Sequence, residues 1–332
     1  MNYKASDSRY SLMKYNRPPS SGLKLPALTL GLWHNFGATE DFDNMRDMIL
    51  TAFDNGINAF DIANNYGRPI VGSAETNFGR ILRDDLSAYR DEIIITTKAG
   101  YNMWQGPYGD GGSRKYLTAS IDQSLHRLGV DYVDIFYHHR PDPDTPLEET
   151  MGALASIVAS GKALYVGLSN YDGERMLRAA KILNELHTPF IVNQNRYSIL
   201  DRTIEENGLL SASAELGVGI VAFSPLAQGI LAGRYINGIP DDSRVRTSGF
   251  FLKESTITES TVNKSRALNK IACERGETLA VTSLGWVLSH SPVVGVIIGA
   301  SNPEQIKENV SAANYKPFTE EELRLIDEIA LA

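Results

Sequence analysis

The stretch Glu92-Ile93-Ile94-Ile95-Thr96-Thr97-Lys98 is apolar for most of its length and turns polar only at its C-terminal end. Such a run reads as a strand buried on both faces, the habit of parallel sheets, rather than as an alternating strand with one wet face. Two neighbours share the pattern. Ile57-Asn58-Ala59-Phe60-Asp61 is a short strand leading into a loop that ends at Tyr66, and Tyr132-Val133-Asp134-Ile135-Phe136-Tyr137-His138-His139 is a third strand. Along the whole chain, apolar β-like runs occupy 28–33, 57–61, 92–97, 131–137, 163–168, 190–194, 218–223 and 293–298.

Helix-like segments separate these runs. Met45, Met48, Ile49, Ala52 and Phe53 recur at spacings of three and four, and Asn55-Gly56 stops that helix. Thr145-Pro146-Leu147-Glu148 reads as a capping box with proline at the first helical position, and Asn302-Pro303-Glu304-Gln305 repeats the design. Thr319-Glu320-Glu321-Glu322 opens a terminal helix, with Phe318 and Leu323 placed as a hydrophobic staple. Eightfold strand–helix alternation predicts a (β/α)₈ TIM barrel with an extra C-terminal helix, one domain over 1–332 with residues 1–21 as an N-terminal extension. A doubly wound sheet is the rival, but no Gly-rich turn follows the first strand. The loose match Gly217-Val-Gly219-Ile-Val-Ala222 opens a strand instead of joining strand to helix. Two connections exceed what a barrel needs, Gly100–Ser113 and Ser224–Ser255. Both follow strands, so both belong to the active face as lids or binding loops.

The 332 residues are 42% hydrophobic and 22% charged, an ordinary globular composition. A net charge of −8 without a Lys/Arg cluster argues against a nucleic-acid partner. No stretch approaches membrane-span length, no signal-peptide core is present near Met1–Pro19, and the single cysteine, Cys273, excludes an internal disulfide and a cysteine-rich zinc site. The expectation is a cytoplasmic protein.

In a barrel, strand C-termini converge on one face, which brings Asp61, Tyr66, Lys98 and His139 together. Alone, Tyr66 would be a packing or surface tyrosine, and Asp61 with Lys98 a structural ion pair; the joint placement favours chemistry. Tyr66 has the group to protonate an oxyanion, and a nearby Lys98 ammonium, held by Asp61, would lower its phenol pKa toward neutral. His139 could hydrogen-bond a carbonyl oxygen or relay a proton. No side chain supplies hydride, so reduction of a carbonyl implies a nicotinamide cofactor. His138-His139 is no metal pair, because adjacent strand residues point to opposite faces.

This set, with five residues' separation between Asp61 and Tyr66, resembles the aldo-keto reductase superfamily. Arg140 to Glu149, Gly167-Leu168-Ser169-Asn170, Ser224 to Gly229 and Gly299 to Gln305 look like its branch of potassium-channel β subunits and related bacterial reductases. The resemblance covers about 22–315. It implies an NADP(H)-dependent barrel enzyme reducing small aldehydes such as glyceraldehyde 3-phosphate or methylglyoxal, with Tyr66 as proton donor and Asp61, Lys98 and His139 as its partners. It further implies that Trp33, Asp61, Ser169, Asn170 and Gln194 hold the nicotinamide end and that Phe223 stacks on it. Ser224, Pro225, Leu226, Gln228, Arg234 and Arg244 would take the pyrophosphate. Gly299, Ser301, Gln305, Glu308 and Asn309 would take the adenosine end, Ser301 at a helix N-terminus. Trp33, Tyr66, Trp104 and His139 would wall the substrate pocket. Arg68, Arg114, Lys115 and Arg140 are all candidates to meet a substrate phosphate.

Two alternatives stay open. A cofactor-binding channel-accessory module would have asparagine where His139 stands and a longer N-terminal segment than the twenty or so residues preceding this barrel. A barrel aldolase or hydrolase would use Lys98 as a Schiff-base nucleophile. Related proteins assemble as tetramers or larger rings, so a homo-oligomer is expected.

Overall fold

A computed structural model of the chain describes residues 3–241, 243–247 and 253–331. Two short strands, β1 (Tyr15–Asn16) and β2 (Leu25–Pro26), pair antiparallel. Eight parallel strands follow: β3 (Leu28–Gly31), β4 (Ala59–Asp61), β5 (Ile94–Ala99), β6 (Val133–His138), β7 (Ala163–Ser169), β8 (Phe190–Arg196), β9 (Gly219–Phe223) and β10 (Val293–Ile298). They close into a barrel in chain order, β10 returning to β3. Helices pack outside it, and Glu320–Leu331 forms the expected extra helix. No helix among the described residues is long and apolar enough to cross a membrane.

Strand alternation sorts the opening stretch. Ile94 joins the small interior cluster with Ala59, Ile135, Tyr137, Val192, Val221 and Ile297. Ile95 joins the larger layer between strands and helices, and there Thr97 Oγ1 donates to Glu75 Oε1 at 2.6 Å. Thr96 and Lys98 therefore share the inward side with Ile94. Below them Leu25 closes the interior cluster, so the barrel is filled rather than hollow.

Several boundaries differ from the sequence reading. β5 begins at Ile94 because Ser87–Glu92 is a 3₁₀ turn that puts Glu92 against Arg9 at 2.7 Å. The capping box at Thr145 does not form: Pro146 is itself the cap of helix Leu147–Ala159 and offers it no side-chain bond. Asp142 Oδ2 takes the Thr145 hydroxyl instead, at 2.7 Å. The other two helix starts form as expected. Asn302 Oδ1 accepts from Gln305 N with Pro303 at the first turn, and Thr319 and Glu322 exchange reciprocal bonds.

Candidate active site

The mouth of the barrel is built from the last residues of β4, β5, β6 and β8. Lys98 is fully buried; its Nζ donates to Asp61 Oδ2 at 2.5 Å and to the Ile62 carbonyl at 2.7 Å. An ammonium has three N–H donors, two of which these bonds use, and the charge stands 5.1 Å from the Tyr66 ring centroid. Asp61 Oδ1 accepts from Thr96 Oγ1 at 2.8 Å and from Gln194 Nε2 at 2.9 Å. The carboxylate is thus bonded at both oxygens, as a buried charge requires.

Tyr66 is half-buried. Its neighbours are Trp33, at 6.3 Å between centroids, and His139, edge-on at 5.9 Å. The expected lowering of its pKa is not found: burial and the Asp61 charge push the phenol well above its ordinary value. The reason is that the Lys98 charge is matched by Asp61, and burial lowers the lysine's own pKa against that partner. The phenol accordingly stays protonated, the state a proton donor needs. His139 is held well below its ordinary pKa by burial and by the charge of Lys98, so its imidazole is neutral. Its Nδ1 is buried without a hydrogen-bond partner among the described residues.

His138 and His139 do face opposite ways. His138 Nδ1 meets the Tyr171 hydroxyl at 2.7 Å behind the barrel wall, while His139 lies against Tyr66 and Tyr101. No group of three or more His, Cys, Asp or Glu among the described residues is placed to hold a metal.

The loop 100–113 is a fastened wall. Tyr116 OH donates to the Tyr101 carbonyl at 2.6 Å and receives Asn64 Nδ2 at 3.1 Å. Arg140 Nε holds the Gly100 carbonyl at 2.8 Å, and Asp142 Oδ2 takes Gly112 N at 2.7 Å. Gly100, at φ 155°, lies where a Cβ would come within 3.1 Å of the His139 Cβ. Trp104 packs on Tyr116 at 5.3 Å, and Tyr101, which sequence reasoning left out of the pocket, is the ring that meets His139 at 4.7 Å and 89°. Thr96 was also missed, although its place two residues before Lys98 puts it on the same side of the strand.

The other residues expected around a cofactor lie near the C-terminal ends of β7, β8, β9 and β10 and in the segments after β7, β9 and β10. Ser169 and Gln194 are buried, and Asn170 Nδ2 donates to Ser169 Oγ and to the His139 carbonyl, both at 3.0 Å. Gln194 also serves Asp61, which the sequence did not suggest. Phe223 ends β9 half-buried. After it, Ser224, Ala227 and Gln228 adopt φ of 53°, 46° and 57° beside Gly229 at 101°. Left-handed backbone in non-glycine residues marks stored strain, and turns of this kind make concavities that suit anions. Pro225 is buried, Leu226 and Arg234 are half-buried, and the Arg244 side chain lies outside the described residues.

After β10, Gly299 is exposed with open space where a Cβ would stand. Ser301 stands at the start of helix Pro303–Val310, next to its cap Asn302, and its N–H donates to Gln305 Oε1 at 2.9 Å. Glu308 is exposed and Asn309 buried, so these two do not share one surface. Hydroxyl and amide donors, left-handed backbone and a helix end are a donor set that fits a nicotinamide dinucleotide.

Residues 27–331 match the Aldo/keto reductase family. The chain is 52% identical over 327 residues to L-glyceraldehyde 3-phosphate reductase of Escherichia coli (strain K12), covering 98% of this chain and 94% of that one. It is 35% identical to a probable voltage-gated potassium channel subunit beta of Oryza sativa subsp. japonica, covering 92% and 93%. The crystal structure of a thermostable aldo-keto reductase, Tm1743, in complex with the inhibitor epalrestat superimposes with a TM-score of 0.74 at 30% identity, covering 96% of this chain and 100% of that one. Sequence and fold agree that the chain belongs to the aldo/keto reductase family.

Proposed function

We propose that this protein is an NADPH-dependent reductase of small aldehydes of the glyceraldehyde 3-phosphate or methylglyoxal kind, with Tyr66 as proton donor. The observation that carries the reading is the Tyr66 phenol beside a Lys98–Asp61 pair and the His139 ring at one barrel mouth. The 52% identity to a protein named L-glyceraldehyde 3-phosphate reductase supports the substrate class. When bound, the cofactor supplies hydride to the carbonyl carbon.

The chain's own residues do the rest. His139, uncharged, donates a hydrogen bond that orients the carbonyl oxygen. Tyr66 gives that oxygen its proton as negative charge develops, and the free donor of Lys98 steadies the resulting phenolate. Asp61 keeps the lysine aimed, and Thr96 and Gln194 keep Asp61 aimed. Ser169, Asn170 and Gln194 would hold the nicotinamide end, and the turn from Ser224 to Gly229 would hold the pyrophosphate.

The test is NADPH and NADH oxidation measured with glyceraldehyde 3-phosphate, methylglyoxal and an aromatic aldehyde. Turnover with NADPH is expected; none with any aldehyde would overturn the reading. Kinship with channel β subunits supports a second reading, a cofactor-bound interaction module. Its signature is tight NADP(H) binding without turnover.

A further inference from the structure

Four cations were candidates to meet an anionic substrate group, and their surroundings separate them. Arg114 turns to helix Leu147–Ala159, where Nη1 donates to Ser156 Oγ at 2.8 Å. Lys115 Nζ lies over the exposed Tyr108 ring, 5.1 Å from its centroid. Arg68 is exposed and makes no ion pair among the described residues; fixing it on a ligand would cost its rotamer freedom.

Arg140 differs from all three. It directly follows His139, and its guanidinium stands 4.6 Å from the centroid of the Tyr101 ring. That same ring meets the His139 imidazole at 4.7 Å. One aromatic ring therefore touches both an oriented cation and the imidazole beside Tyr66. The guanidinium is aimed by two bonds, Nε to the Gly100 carbonyl at 2.8 Å and Nη2 to Asp110 Oδ1 at 2.9 Å. The Arg140 and Asp110 side chains are 40% and 42% exposed, so the pair is worth little and a dianion can compete for it.

We propose that Arg140, carried on Tyr101, selects aldehydes bearing a phosphate or similar anion a short chain away from the carbonyl, with Asp110 as the internal competitor that limits the selection. This rests on the aldehyde-reductase reading. With the carbonyl at His139, a chain of three carbons crosses the Tyr101 ring and delivers its anion to the planar fork of Arg140. The displaced Asp110 carboxylate passes to solvent, where it is already partly exposed.

The test is the ratio of kcat/KM for glyceraldehyde 3-phosphate to that for uncharged glyceraldehyde, with NADPH, in wild type and in R140M, D110N and R68M. Wild type prefers the phosphorylated aldehyde. R140M lowers the ratio about tenfold or more, chiefly through KM, the loss expected of a charge-assisted bond. D110N raises the ratio, and R68M leaves it within about twofold, as for an uninvolved surface charge. No preference in wild type, an unchanged ratio in R140M, or a loss that follows R68M instead would overturn the proposal. Should R140M be inactive on both aldehydes, D110N decides, and a ratio that stays level or falls there overturns it. Failure of wild type with both aldehydes would instead strike the reductase reading itself.

Discussion

At the N-terminal end of the barrel, Leu25 closes the interior and the chain before β3 is laced to strand starts by backbone: Ala27 N to the Lys14 carbonyl at 2.8 Å, Ser20 N to the Gly217 carbonyl at 3.0 Å. At the other end the same strands finish in Asp61, Lys98 and Gln194, bonded side chain to side chain. The bottom is an apolar plug with side-chain bonds at its edge, among them Arg90 to Asp134 at 3.1 Å and Asn16 Nδ2 to the Val294 carbonyl at 3.0 Å. The mouth holds a buried charge pair that packing alone would not favour. The difference teaches where stability and chemistry separate: the bottom should tolerate loss of function-neutral volume only at a cost in stability, whereas the mouth should lose turnover first.

The largest expected effect is at Lys98. Lys98→Met leaves the Asp61 charge buried without its ammonium, so turnover should fall about 10²-fold or more and stability by about 3–5 kcal/mol. Steady-state kinetics with denaturant unfolding checks both, and normal turnover would break the distinction between the two ends. At the bottom, Leu25→Ala should cost about 2–4 kcal/mol through the cavity it opens, with kcat nearly unchanged. A large kcat loss at full stability would show that the bottom is coupled to the mouth.

The smaller effect is in pH. Burial pushes His138 down to about 4 from 6.5. Unfolded chains bind that proton below about 6.5 while the folded protein does not until about 4, so stability is full above 6.5 and declines as pH falls through this window, by about 3 kcal/mol for this residue. His139 acts in the same direction. Melting temperatures between pH 7 and 4 should fall more steeply for wild type than for His138→Gln; parallel curves would contradict the assignment.

Much of this was legible in the chain because burial on both faces leaves an apolar run ending in a polar residue, and eight such runs in order admit few architectures. The strand ends named Asp61, Lys98 and His139 together for the same reason. What stayed hidden depends on packing across the fold. Tyr66 was expected to ionise more easily, yet burial beside Asp61 outweighs a lysine whose charge is already matched. Thr145 matches a capping pattern, but Asp142 competes for its hydroxyl. Tyr101 looked like one more aromatic in a loop until Tyr116 and Arg140 fixed it against His139.

The central claim, that the mouth cluster reduces carbonyls with Tyr66 as the proton donor, is tested most directly by Tyr66→Phe. NADPH affinity, read by quenching of protein fluorescence, is measured beside turnover on glyceraldehyde 3-phosphate. The expected result is cofactor binding kept and turnover lowered about 10²- to 10⁴-fold, the usual worth of a positioned acid. Turnover equal to wild type would contradict it.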